Sequence, residues 1–389
     1  MSGRAQDQQA VLLPEEIPMY ELLRLKRLDN LCDPTQGTFV YETVLVGYTI
    51  FSRPGIFGGI SLGVGMQAAF ASLFDELDEK EAAEFRAYSY QGAFLGPALS
   101  KFAIRITVTT LRKTRSFVTR VVTLSQQDPA RPDVRRNTLV GVCDFARRGR
   151  KGLPEFSAPA HNPLTNKPWQ RPEELPSESE DVQQRIEAAK KSNDTELIKN
   201  LEREFAFSGR WNPFLEYRIP TDSVMRQTFW GTKSDAITNQ DELPPTDRVM
   251  ADWFRVKPDL SERGIAAASA KQPDCVPLRP VPMHTTIFTF LLDQIVPLTP
   301  ILIQKIPRRA ASPDVSLDFS IRFHREDGLD VNKWTLRHWK GLTAAAGRSF
   351  SQVTLWNEQG DIIATMSQQG HYVPAPPRPN GAAKPAAKL

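Results

Sequence analysis

The chain is poor in cysteine: Cys32, Cys143 and Cys275 stand far apart among 389 residues and are odd in number. That excludes a disulfide framework and any cysteine-based metal spacing, and it points to a reducing compartment. The histidines (His161, His284, His324, His338 and His371) form no ligand spacing either, so neither a metal nor a cofactor is expected. No uninterrupted apolar run reaches the roughly 18 residues that suggest a membrane span. The longest apolar stretches, near 56–74 and 286–298, are broken by Gly, Thr, Asp and Gln. A phosphate-binding P-loop and a dinucleotide fingerprint are both missing, and Gly63-Val64-Gly65-Met66-Gln67-Ala68 reads only as a helix of small residues. The strained nucleophile elbow of serine hydrolases is missing as well. The first residues carry acids early and lack an apolar core, which predicts neither a secretory signal nor a transit peptide. A net charge of +4 with dispersed basic residues and no stacking motif argues against a nucleic-acid partner.

What the chain does have is an ordinary globular composition, 40% hydrophobic and 24% charged, which permits a large core and two domains. Leu22, Leu23, Leu25 and Leu28 recur at helical spacing, and Phe39–Val46 reads as a strand. After Gly58-Gly59, a run that is apolar on every side (60–77) predicts a helix buried all round. Strands are predicted at Phe102–Leu111, where Ile104, Ile106 and Val108 share one face, at Arg115–Leu124 and at Asn137–Phe145. From about 147 to 212 Pro, Ser, Asn and charge dominate, and this reads as a partly mobile linker or insertion with one exposed helix over Val182–Phe205.

The second half repeats the order of the first. Strands at Phe214–Ile219 and Trp253–Val256 precede an apolar helix at Thr285–Val296, then strands at Ser316–His324, Trp334–Leu342, Arg348–Trp356 and Ile362–Gln368. Arg115-Ser116-Phe117 and Arg348-Ser349-Phe350 open equivalent strands. The reading is a tandem duplication of one α+β unit of roughly 130–160 residues. A helix that is apolar all round must be wrapped, and a curved antiparallel sheet around a central helix, the hot-dog arrangement, does so. The expected domains are therefore 14–146, a linker 147–212, a second hot-dog at 213–374 and a Pro/Ala-rich tail 375–389. The chain ends Ala387-Lys388-Leu389, a variant of the peroxisomal Ser-Lys-Leu address.

Three polar residues sit where chemistry could use them. Asp293 interrupts the second apolar helix, where an ionised carboxylate is costly unless paired or solvated. Gln368 shares a strand face with Ile362, Ala364 and Met366, unusual for an amide. Ser316 opens the polar face of a strand in which Ser316, Asp318, Ser320, Arg322 and His324 alternate with Leu317, Phe319, Ile321 and Phe323, so it reads as a hydrogen-bonding group rather than a nucleophile. Each also has a plain structural reading as a helix-end acid, a strand-end amide or a solvated hydroxyl. Arg147-Arg148-Gly149-Arg150-Lys151 is the densest basic run, either a solvated loop or a contact for a phosphate-rich ligand.

The motifs Ile56-Phe57-Gly58-Gly59, Phe94-Leu95-Gly96-Pro97, Arg115-Ser116-Phe117 and Phe323-His324-Arg325 resemble those of the acyl-CoA thioesterase II family of bacterial and peroxisomal enzymes. The resemblance covers most of 20–145 and 213–374, with departures at Ile60, Gln91, Thr114 and Glu326. It implies an acyl-CoA substrate and direct hydrolysis by water, with Asp293 as base and Ser316 and Gln368 holding the water. N–H groups at the start of a buried helix would stabilise the oxyanion. It further implies pairing into a homodimer and, with the C-terminal tripeptide, a peroxisomal import receptor as partner. Two other readings stay open at this point: an enoyl-CoA hydratase on the same fold, recruiting His284 or His324, and an acyl-CoA-binding protein without activity.

Overall fold

A computed structural model of the chain describes residues 11–50, 55–149, 152–231, 233, 235–307, 310 and 315–374. In the first half, β1 (Val11–Leu12), β2 (Leu25–Arg27), β3 (Thr38–Thr43) and β4 (Tyr48–Thr49) lead to helix α1 (Gly58–Glu76) and the single turn α2 (Glu79–Ala82). Four long strands follow: β5 (Phe85–Phe94), β6 (Arg105–Lys113), β7 (Phe117–Asp128) and β8 (Arg131–Arg147). The linker holds α3 (Glu178–Lys191) and α4 (Thr195–Ser208). The second half runs β9 (Leu215–Arg218), α5 (Val224–Gln227), β10 (Met250–Val256), α6 (Glu262–Ala270), α7 (Pro280–Leu292) and α8 (Thr299–Ile303). It ends with β11 (Val315–Ser316), β12 (Asp318–Phe323), β13 (Thr335–Ala345), β14 (Arg348–Trp356) and β15 (Ile362–His371).

The duplication is visible in the strand order. One antiparallel sheet reads β2-β3-β6-β7-β8-β5-β12-β15-β14-β13-β10-β9, and each half is the mirror of the other about the β5–β12 seam. That seam pairs Asp318 with Ala93 and Ile321 with Tyr90, so the halves share one continuous hydrogen-bonded sheet. Two hot-dog units, each a curved antiparallel sheet around a central helix, lie side by side in an α+β architecture. Every residue of α1 from Gly59 to Leu73 is buried, as is every residue of α7 from Thr285 to Leu292. Each large apolar side chain so placed contributes about 1.5–3 kcal/mol. The two helices cross in direct contact, because a Cβ on Gly59 would lie 2.2 Å from the Phe290 carbonyl oxygen. Only a glycine permits that approach. By length and composition Pro280–Ile303 could cross a membrane, but 89% of its most apolar window is buried inside the fold, where it forms the second core.

Four expectations need correction. The helical spacing of Leu22 to Leu28 is one 3-10 turn, Met19–Leu23, followed by strand β2, because Leu25 reaches the core by strand alternation while Lys26 stays exposed. Strand β5 has no counterpart among the predicted strands. At the centre of the sheet it is buried on both faces over much of its length, so it shows no alternation. The single helix expected over Val182–Phe205 is two. Asn193 adopts a left-handed φ of 55°, and Asp194 caps α4 by accepting the Leu197 N–H at 2.9 Å.

The linker, finally, is packed on the protein rather than loose. Trp169 and Leu175 are buried against Trp253, Trp334, Leu336 and Trp356 on the outer face of the second sheet. Trp356 donates its indole N–H to the Ala158 carbonyl at 2.8 Å, and Trp253 donates to that of Gln170 at 2.9 Å. The tail and its Ala387-Lys388-Leu389, like Arg150 and Lys151, lie outside the described residues.

Candidate active site

Helix α7 ends at Leu292, and Asp293 is its C-terminal cap, still in helical conformation. The apolar run that drives α7 into the core carries Asp293 in with it, leaving the residue 4% exposed. One carboxylate oxygen, Oδ1, accepts a hydrogen bond from Gln368 Nε2 at 2.8 Å. The backbone N–H of Gly59, in the first turn of α1, donates to the same carboxylate. The neighbouring Gly58 lies so close that a Cβ there would meet Asp293 Oδ2 at 2.6 Å. The acid of the second half therefore sits at the N-terminus of the first half's central helix, where the helix dipole and unpaired N–H groups favour an anion. Burial opposes them and wins: it pushes the Asp293 carboxyl up to about 7, against the lowering effects of Gln368 and Gly59. A carboxyl so tuned can take up and release a proton near neutral pH.

Gln368 is fully buried on β15, on the face it shares with Ala364 and Met366. Its Nε2 serves Asp293, and its Oε1 finds no partner among the described residues. Directly opposite on β14 stands Ser351, also fully buried, whose Oγ is likewise without a partner. Ser351 was not among the residues predicted for the site. The signal available was a small polar residue in the alternating strand that follows Arg348-Ser349-Phe350.

Ser316 arrives by a different route from the one its spacing suggested. It pairs with Gly370, whereas Ser320 pairs with Ser367, so the register slips by one residue between β11 and β12. Leu317 donates its N–H to the Gln369 carbonyl, and the Asp318 carboxylate accepts the Gln369 N–H at 2.9 Å. The slip breaks the strict alternation expected over Ser316–His324. It turns Ser316 onto the face of β15 that bears Gln368 and Gly370, away from the face of Asp318 and Ser320. Ser316 is half-buried and forms no hydrogen bond with Asp293 or Gln368. Two of the three predicted residues are thus bonded to each other, and the third shares their face.

Behind Asp293 lies a polar cluster that sequence reasoning also missed. Arg337 and Asp252, both wholly buried, are direct neighbours across β13 and β10 and are joined by two hydrogen bonds of 3.0 and 2.8 Å. Burial pushes the Asp252 carboxyl above its usual range, and Arg337 pulls against that. Neither strand announced the pair, since β10 also carries Arg255 and β13 also carries His338 and Lys340. Two of the histidines are engaged elsewhere. His338 is buried between Trp169 and Trp356, and His284 accepts the Val331 N–H at 3.3 Å. Among the described residues no three His, Cys, Asp or Glu side chains gather as a metal set.

Comparison with known proteins agrees with this architecture. Residues 51–146 match the acyl-CoA thioesterase N-terminal domain family, and residues 215–372 match the acyl-CoA thioesterase C-terminal domain family. Comparison with curated proteins gives no significant match. Among solved structures, the acyl-CoA thioesterase II TesB2 of Mycobacterium marinum is 17% identical with a TM-score of 0.56, covering 93% of this chain and 99% of its own. A tesB protein of Mycobacterium avium subspecies paratuberculosis is 15% identical with a TM-score of 0.52, covering 87% of this chain and 94% of its own. A conserved hot-dog protein of unknown function from Alicyclobacillus acidocaldarius is 16% identical with a TM-score of 0.50 over the same shares. At these identities the structural likeness speaks for the fold.

Proposed function

The chain belongs to the acyl-CoA thioesterase family and is a thioester hydrolase, and from that premise we propose that Asp293 is the general base of a direct hydrolysis assisted by Gln368 and Ser316. The observation that carries this reading is the buried Asp293–Gln368 pair at the N-terminus of α1, with the carboxyl raised to about 7. In the forward reaction a water attacks the thioester carbonyl carbon while Asp293 accepts one of its protons. Gln368 orients the carboxylate and the water, and Ser316 supplies a hydroxyl from the adjoining strand. The carbonyl oxygen becomes an oxyanion. The N–H of Gly58, which as the first residue of α1 has no intrahelical acceptor, stabilises it, and the missing side chain leaves room for the Asp293 carboxylate beside it. Collapse of the tetrahedral intermediate breaks the carbon–sulfur bond, and Asp293 returns its proton to the departing CoA thiolate. The net change is one water consumed and one free acid and one CoA thiol released, with no acyl-enzyme.

The test is free-thiol release from short, medium, long and dicarboxylic acyl-CoAs by wild type and by Asp293→Asn. Release by wild type that is lost in a folded mutant supports the base. Equal release by both would remove Asp293 from the chemistry. We further propose that Ala387-Lys388-Leu389 directs the enzyme to peroxisomes through an import receptor, and that two chains pair as a homodimer. Deleting the tripeptide from a fluorescent fusion should return the protein to the cytosol, and light scattering should give the mass of two chains.

A further inference from the structure

The residues flanking Asp293 are held by a buried polar network that does not touch its carboxylate. Arg337 Nη1 donates to the Leu291 carbonyl at 3.2 Å and to Gln294 Oε1 at 2.9 Å. Gln294 Nε2 donates to the Tyr217 hydroxyl at 3.0 Å, and Trp339 Nε1 donates to the Gln294 carbonyl at 2.9 Å. Arg337 is itself fixed by both oxygens of Asp252 and lies over the rings of Phe254 and Trp339, at 4.6 and 4.3 Å from their centroids. The residue two before Asp293 and the residue just after it are therefore both gripped, the latter by its side chain and by its backbone. The next residue, Ile295, has a φ of 59°, a left-handed conformation that a β-branched residue adopts only when its surroundings impose it.

We propose that Gln294, Arg337, Asp252 and Tyr217 are positioning residues for Asp293, and that they aim its carboxylate at Gln368 and the start of α1 by clamping the turn on either side of it. The inference rests on the reading of Asp293 as the base. A buried ion pair is seldom more stabilising than apolar residues of the same volume, so stability alone is a poor reason for this network. Geometry is a better one, since a misplacement of about 1 Å at a reacting group can cost on the order of a hundredfold in rate.

Gln294→Met keeps the volume and cuts both side-chain bonds, and Tyr217→Phe removes a single oxygen. Both should be assayed beside Asp293→Asn by thiol release, with folded fraction measured by circular dichroism. Gln294→Met should lower kcat about 30-fold with KM within about twofold, and Tyr217→Phe should lower kcat about threefold, again with KM unchanged. A merely structural role would reduce the folded fraction and leave kcat per folded molecule as it was, and that result overturns the proposal. If Gln294→Met does not fold, Tyr217→Phe decides by the same split. An inactive Asp293→Asn beside fully active Gln294→Met and Tyr217→Phe sinks the positioning role alone, whereas an active Asp293→Asn sinks the reading of the base on which it rests.

Discussion

The two hot-dog halves share a sheet order and a central helix, yet they treat their helix-end acids in opposite ways. In the first half Glu76 closes α1 and is paired with Arg120 at 2.6 Å and Lys113 at 3.1 Å. Burial pushes Glu76 up, but the two cations hold it below its usual range. Its neighbour Asp75 accepts the Tyr41 hydroxyl and lies 3.5 Å from Arg27. In the second half Asp293 has only an amide and a backbone N–H, so burial prevails and its carboxyl rises to about 7. The partner strands differ correspondingly. Phe117 pairs with Ala146 and Phe350 with Gln369, so the position equivalent to Gln368 is Phe145, which packs edge-to-face on Phe70 at 5.0 Å. An acid paired with cations in this fold anchors a helix end. The same fold with an amide in place of the cations leaves an acid free to exchange a proton.

Four experiments would break or sharpen that contrast. The largest effect is expected from Asp293→Asn, with kcat down about a thousandfold while the protein folds. The mutant should also be more stable at pH 8 by about 2–4 kcal/mol. The sign follows from the raised folded pKa: the stability linked to protonated Asp293 is complete below the unfolded value of 3.8 and is lost as pH rises through about 7. Thermal melts at pH 4 and pH 8 would check it. In wild type the same titration makes kcat rise with pH and level off above about 7.

Next, Gln368→Met should reduce kcat about a hundredfold. It removes a bond that lowers the Asp293 pKa, so the acid limb of the rate profile should move above 7. A limb that moved down would contradict the role assigned to the amide. Third, Glu76→Gln should leave kcat per folded molecule unchanged and cost about 1–3 kcal/mol, because Arg120 stays buried without its charge partner. Lost turnover in this variant, at full folding, would erase the distinction between the halves.

The smallest effect concerns the part of the linker that packs on the second sheet. His338, enclosed by Trp169 and Trp356, is pushed by burial from 6.5 down to about 3. Its contribution is complete above the unfolded value and is lost as pH falls, roughly 1 kcal/mol between pH 7 and 5.5. Denaturant midpoints across that range should show a slope that His338→Phe reduces.

Much of this was legible along the chain because it is local. An apolar run on every side announces a buried helix wherever it occurs, and α1 and α7 appear where such runs stand. Asp293 was conspicuous as an acid within one, and Gln368 as an amide on an apolar face. Strand β5 was not legible, since a strand buried on both faces lacks the alternation that marks strands. The facing of Ser316 was not legible either, because it depends on a one-residue slip against β15, a partner distant in sequence.

The sequence by itself determined the duplication and the two core helices and singled out Asp293 and Gln368 as polar residues out of place, since each follows from periodicity or from a break in it. Tertiary structure alone decided that the acid of one half meets the helix start of the other, that Arg337 and Asp252 close around the turn beside it, and that no cation approaches it among the described residues. Those outcomes depend on which distant segments share a dry interior. There the loss of hydration and the choice of neighbour set what a carboxyl can do, and neither is written at the position of the residue itself.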